Sequence, residues 1–326
     1  MSVARAVATR VGTSLLVVWG AITATFIALH SGKGEVIDAI TGSAQVSPAV
    51  RQQIIQDYRL DDPLVAQYLH YLWRLLHLDL GQSYSLRMPV ARAIGQQIVP
   101  TFQLIVVASL LALVVAVVVA LLTANRSRRV RGPASSVEVV LVALPSFWFG
   151  ILLLTFFSFK LQWFPSVGSD GVASIVLPSI ALAATPAALL SQVLRHGLER
   201  TSEEPFVLTA RTRGLSSQAV LVRHVLRHAA APTITLWGWI TGALISGAVV
   251  IEQVFSREGL GRLTVTAING KDFPLVIGIV IVAATFYTVV NTVIDAAYAW
   301  IDPRLRVDPP ARRPVRTITP TSEVSA

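Results

Sequence analysis

Residues 199–232 read ERTSEEPFVLTARTRGLSSQAVLVRHVLRHAAAP. The stretch is polar, basic and helix-prone, and the long apolar segments of the chain lie to either side of it. Thr201 to Glu204 fits a capping box, with Thr201 as N-cap and Glu204 three residues on. Pro205 then falls in the first turn, where its missing N–H costs little. The pattern predicts a short helix to about Arg213, ended by Gly214 as the left-handed C-cap residue. Ser216 can cap a second helix carrying Val220, Leu221, Val225 and Leu226, with Arg223, His224, Arg227 and His228 between them. Pro232 marks the break into the next apolar run. The order is helix, glycine hinge, helix, membrane. Phe206, Val207 and Leu208 form an apolar patch that lies exposed unless something covers it, and a short capped helix with such a patch suits a partner's groove. A plainer role stands beside this one: a basic insert that fixes topology and binds anionic lipid. The residues of the insert alone leave the two even.

Composition sets the frame around it. The chain has 326 residues, 53% hydrophobic and 14% charged, against about 25% charged in soluble domains. Apolar runs of about 18 residues or more recur, each long enough to cross a hydrocarbon core of roughly 30 Å. This is a polytopic α-helical membrane protein. It has no cysteine, so disulfides, thiol catalysis and Cys-ligated zinc are excluded. Spans are expected at about 10–29, 99–124, 137–159, 173–195, 233–254 and 275–300. The first begins like a signal peptide, but its apolar run is long and no A-x-A-like site follows, so it is read as retained.

Four regions follow: residues 1–30 as cytoplasmic N-terminus and first span, 31–98 as a polar, extracytoplasmic segment, 99–300 as the transmembrane core with its loop at 199–232, and 301–326 as a cytoplasmic, disordered tail rich in Pro, Ser and Thr. Within 31–98, Ser47-Pro48 opens a helix to about Arg59 and Pro63 opens another. The second is amphipathic, with Leu64, Leu69, Leu72, Leu75 and Leu76 at near-helical spacing and Tyr68, Tyr71 and Trp73 among them. It suits either the core of a small cap or a helix lying at the membrane interface.

Lys and Arg decide the orientation. Seventeen lie on the side of the N-terminus and ten on the other, six of those ten in the long 30–98 segment, where they count weakly. Both termini and the 199–232 insert are therefore expected in the cytoplasm. That distribution accounts for the net charge of +9 without a nucleic-acid partner.

Polar residues in or beside the spans are the remaining candidates. Gln103 and Gln192 could line a pore or bond between helices, and Glu252 with Gln253 could face the outer mouth. Asn291 and Asp295 share one face of the last span, for packing or for a proton or substrate role. Glu138 is expected as an interfacial ion partner beside the basic loop 126–131. Pro145, Pro178 and Pro186 can kink their helices. His30, His70 and His77 lack metal-ligand spacing, so no metal site is expected. No G-x-x-x-x-G-K-[ST] occurs, so ATP is not bound by that route. An intramembrane enzyme would need a nucleophile and a base at matching depth. The spans offer Ser109, Ser158 and Ser191 but no histidine clearly within one. A stand-alone channel would display a selectivity ring or filter, and none is evident.

The segment LTARTRGLSSQAVLVRHVLRHAAAP (208–232) resembles the cytoplasmic "EAA" loop of binding-protein-dependent ABC importer permeases, specifically the B-type permease of the oligopeptide/dipeptide/nickel family. That class reads approximately RTARAKGLS…VLLRHALRNALLP. Thr209, Ala210, Gly214, Leu215, Ser216, Arg223, His224, Leu226, Arg227 and Pro232 match by position. LDDPLVAQYLHYL (60–72), LDLGQS (78–83), LPSFWFGILLL (144–154), IEQVFSREGLGRL (251–263), DFPLV (272–276) and VNTVIDAAYAWIDPRLR (290–306) resemble further family segments in the same order. Leu208, Ala231, SGKGEV (31–36) and Arg257-Glu258 depart from the pattern. The resemblance implies six spans in the type I ABC importer permease fold. It implies a coupling helix built from Glu204, Pro205, Phe206, Val207, Leu208, Thr209, Ala210, Arg211 and Arg213, with Gly214 as hinge, docking in a cleft of an ATPase subunit. Arg211 and Arg213 would pair with acidic groups there. It further implies a second homologous permease, two ATPase subunits carrying ATP and Mg, an extracytoplasmic binding protein, and location in a bacterial plasma membrane. This chain would bind no cofactor. The implied cargo is a peptide, with nickel or glutathione as alternatives.

Overall fold

The computed structural model describes residues 3–30, 52 and 61–301; the side chains of 3–11, 29–30, 291 and 294–301 lie outside the described set. Of the expected helix at 48–59 only Gln52 is described, as helical, and of the expected disordered tail only Ile301, as the end of the last helix. Among the described residues there is no strand, only an isolated bridge between Gln82 and Pro89. The helices are α1 (Val3–His30), α2 (Leu64–Leu76), α3 (Val90–Thr123), α4 (Arg128–Ala143), α5 (Ser146–Leu153, running on as a π-helix through Lys160), α6 (Ala173–Thr201), α7 (Pro205–Thr212), α8 (Ser217–Val220), α9 (Leu226–Val254), α10 (Leu260–Asn269) and α11 (Phe273–Ile301). A π-helical turn at Leu221–Val225 joins α8 to α9, so Ser217–Val254 is one continuous rod.

Four of these are long and apolar enough to cross a membrane unaided: Val90–Thr123, Ala173–Thr201, Ser217–Val254 and Phe273–Val290. The α4–α5 pair makes a fifth if the two legs count as one span. In α1 the shorter apolar stretch is Gly12–Ala28.

The centre is made of α3, α6 and α9. Ala108, Ala112 and Ala116 of α3 meet Ala181, Ala183 and Ala187 of α6, with Leu104, Leu190, Leu244 and Ile251 filling between. Lipid is as apolar as leucine, so hydrophobic burial drives little association there. Small residues instead let backbones come close, and interhelical hydrogen bonds add direction. Ser109 Oγ lies 2.6 Å from Thr241 Oγ1, and Trp237 Nε1 donates to the Ser109 carbonyl at 3.1 Å, tying α3 to α9. At the edge, Ile22 and Phe26 of α1 pack on Ile277 of α11, and Tyr68, Tyr71, Leu72 and Leu75 of α2 cover the joint. The other face of α2 is exposed, Leu69 and Trp73 included.

Of the prolines expected to kink their helices, Pro145 does so: the third span is not one rod, and α4 and α5 meet at a bend of 107°. Leu144 is forced extended ahead of Pro145 (ψ 128°), as a residue before proline tends to be. Pro145 has no N–H for the Leu141 carbonyl, and Thr185 of α6 donates its hydroxyl there instead, at 3.1 Å. Pro178, Pro186 and Pro232, by contrast, lie inside helices that continue past them. Pro232 does not break the chain into the fifth span.

Candidate functional site

The 199–232 segment folds as a helical hairpin at one end of the bundle, beside the basic 125–131 turn. Its start differs from the capping-box expectation. Thr201 is the last residue of α6, and the Ser202 hydroxyl donates back to the Leu198 carbonyl at 2.7 Å. Helix α7 begins at Pro205, with extended Glu204 (ψ 145°) as an N-cap whose side chain makes no capping bond. Proline at the first helical position supplies the right φ without wasting a donor, so the start signal is Pro205. The stop behaves as expected. Arg213 closes the helix and Gly214 takes φ +85°. A Cβ there would meet nothing within 4 Å, so backbone conformation alone requires glycine. Ser216 Oγ accepts from the Ala219 amide at 3.3 Å and starts α8.

The apolar patch splits three ways. Val207 is 2% exposed, in a cluster with Ala120, Leu194, Leu198, Val220, Val225 and Ala229 from the ends of α3, α6, α8 and α9. Phe206 is part-exposed, its ring 5.1 Å from that of His228. Leu208 is 68% exposed. The patch is expected to lie exposed unless something covers it; the chain itself covers Val207 and leaves Phe206 and Leu208 exposed. Ala210 is half-buried in the same cluster, while Glu204, Pro205, Thr209, Arg211, Arg213 and Gly214 are exposed. Among the described residues, neither Arg211 nor Arg213 is paired with a carboxylate. The helix is thus seated by one valine and presents Leu208 and its two arginines outward.

Beneath this hairpin lies a buried ion pair that the sequence did not reveal as such. Arg195 of α6 donates to both carboxylate oxygens of Glu138 of α4, at 2.8 and 2.6 Å. Ser191 adds a third donor at 2.7 Å, and both charged residues are 4% exposed. Glu138 is therefore no interfacial partner of the basic loop; it is an interior brace whose fork-to-fork geometry offsets desolvation. The available signal was one acid at the head of an apolar run, Glu138, and one base at the end of another, Arg195. Nearer the surface, Arg131 reaches Glu199 at 3.2 Å and Asn125 donates to Ser202 at 2.9 Å. These contacts fix the basic turn to the hairpin.

The far end of the bundle carries the other notable carboxylates. Glu252 does not face a mouth: it is 0% exposed. Its carboxylate accepts from Thr101 Oγ1 at 2.6 Å, the Gly261 amide at 2.7 Å and the Arg262 amide at 3.2 Å, while the Leu260 amide donates to Thr101 Oγ1 at 2.7 Å. These groups close the first turn of α10, where amides lack helical partners. A side chain at Gly261 would run into the Val249 backbone. Arg257 is also buried in this corner; burial lowers its guanidinium from its usual range, with nearby Glu252 opposing. Asp272 accepts from Ser83 Oγ at 2.5 Å, Ser85 Oγ at 2.8 Å and the Ser85 amide at 2.9 Å, fastening the 83–88 turn to the head of α11. Gln103 is exposed on α3 and Gln192 half-buried on α6, and they are not brought together. Asn291 and Asp295 lie in α11, but their side chains are outside the described residues.

Comparison with known proteins places this architecture. Residues 112–307 match the family described as "Binding-protein-dependent transport system inner membrane component". A Brucella abortus protein named as a permease of a peptide transport system is 33% identical over 293 residues, covering 87% of this chain and 93% of its own. The glutathione transport system permease protein GsiC of Escherichia coli is 33% identical over 285 residues, covering 86% and 92%. A chain of the MetNI methionine ABC transporter, solved in an inward-facing conformation, superposes with a TM-score of 0.53 at 13% identity, over 64% of this chain and 95% of that one. The chain belongs to the family of inner-membrane components of binding-protein-dependent transport systems. It is a multi-pass membrane permease with the helical fold of ABC importers.

Proposed function

We propose that this chain is one permease subunit of an ATP-driven importer of peptides. It crosses the membrane six times with both termini and α7 in the cytoplasm, and pairs with a second, homologous permease. Two ATPase subunits carry the ATP and Mg and bind its cytoplasmic face, and an extracytoplasmic binding protein delivers cargo. The observation that carries the proposal is the hairpin itself: a short helix anchored by Val207, with Leu208, Arg211 and Arg213 exposed and Gly214 in a left-handed turn leading into the long α8–α9 rod. A groove on an ATPase that takes up α7 pushes directly on a helix that crosses the membrane. Arg211 and Arg213 then set docking rate and specificity more than affinity. Peptide as cargo is supported by the naming of the Brucella relative, and glutathione, itself a small peptide, by the naming of the E. coli one.

The test is purification of the chain with its co-expressed neighbours, followed by transport in vesicles. Full activity without any ATPase subunit would overturn the proposal. Identifying the ligand that co-purifies with the partner binding protein separates longer peptides from glutathione.

A further inference from the structure

Behind α7 lies a cavity of about 370 Å³ that shares Arg211 with the proposed docking face. Its apolar floor includes Leu121, Val207, Val220 and Leu221, and its polar rim Asn125, Arg126, Arg211 and Gln218. No Asp or Glu lines it. Among the described residues, neither rim arginine has a carboxylate within ion-pair distance: Glu199 is taken by Arg131, and Glu203 and Glu204 stand exposed on the connection to α7 without reaching either. Two guanidinium groups thus stand unneutralised over an apolar floor. The apolar lining is equally telling. Leu121 and Leu122 belong to the last turn of a helix long and apolar enough to cross a membrane, and Leu122 is 63% exposed. The lining therefore passes from an exposed apolar side chain at Leu122 to a cationic one at Arg126 within a single turn of chain.

We propose that this cavity binds the headgroup of an anionic phospholipid. Arg126 and Arg211 take the phosphate, for which guanidinium donors are well shaped, and the apolar floor takes the glycerol and the start of the acyl chains. Arg211 belongs to α7 and Arg126 to the turn after α3, so the lipid bridges the docking helix and the end of a transmembrane helix. A carboxylate from a soluble partner would match the charge but not the apolar wall at Leu121 and Leu122, which favours lipid.

The test is native mass spectrometry of the full-length chain, purified with its partner permease in detergent before any ATPase subunit is added, and titrated with phosphatidylglycerol or phosphatidylcholine. The wild type should prefer phosphatidylglycerol. R126Q/R211Q should weaken that binding about 30-fold, from roughly fivefold per arginine near a charged lipid surface. R128Q/R129Q removes equal charge from exposed residues that do not line the cavity, and should weaken binding only a few-fold. S217F fills the rim while keeping both arginines, and should lose binding as the first pair does. Equal weakening by the two arginine pairs, or wild-type binding by S217F, would overturn the site. Displacement of the lipid by millimolar inorganic phosphate would make it a water-side anion site, and displacement by added ATPase subunit would assign the arginines to that partner; either result overturns the lipid assignment.

Discussion

Two short helices flank the same long rod, and they are attached in opposite ways. At one end of Ser217–Val254 sits α7, held by one buried valine and a glycine hinge. At the other sits α10, its first turn closed by a buried carboxylate, a threonine hydroxyl and a glycine with no room for a side chain. The α10 end satisfies the amides of its own first turn and is built into the bundle. The α7 end leaves an exposed leucine and two unpaired arginines. An element that must travel with the transmembrane helices needs the first kind of joint; an element that must be gripped from outside needs the second.

That contrast breaks most readily at α10. Glu252→Ala strands the Gly261 and Arg262 amides and the Thr101 hydroxyl and leaves Arg257 buried without its counter-charge. It should cost about 3–5 kcal/mol, seen as a large drop in thermal stability in detergent and new trypsin cleavage after Arg262. If α10 stays protected, the carboxylate is not what holds it. Val207→Ala should be milder and local, about 1–3 kcal/mol against α7 docking. Hydrogen exchange should rise across 205–212 while α10 is unchanged; a matching rise in α10 would mean the two ends are not independent. Gly214→Val should act least on stability, about 1–2 kcal/mol from a side chain in the left-handed region, yet it should lower transport more than it lowers the folded yield. Transport falling only in proportion to yield would remove the hinge role.

The sequence made the fold largely legible because apolar length and charge bias are strong, local signals. Gly214 and Ser216 were equally readable, since each acts through its own backbone. What stayed hidden depended on neighbours far along the chain. Pro145 breaks its span while Pro178, Pro186 and Pro232 do not, and the break is stabilised by Thr185, a residue on another helix. Val207 reads as part of an exposed patch until the ends of α3, α6 and α9 converge on it. Thr201 fits a capping motif by spacing, but the run of α6 reaches through it and Pro205 starts the next helix instead. Glu138 and Glu252 were each visible as isolated acids; their partners, Arg195 and Thr101, lie across helix interfaces that spacing along the chain does not encode.

Phe206→Glu tests the docking role of α7 most directly, in the complex reconstituted with its ATPase subunits and binding protein. Phe206 is part-exposed beside His228, so the bundle should fold and insert with little change. The expected result is transport reduced at least tenfold, with the ATPase subunits lost on co-purification, against an unaltered yield of folded permease. Wild-type transport together with wild-type retention of the ATPase subunits would contradict it and place the power-transmitting contact elsewhere on the chain.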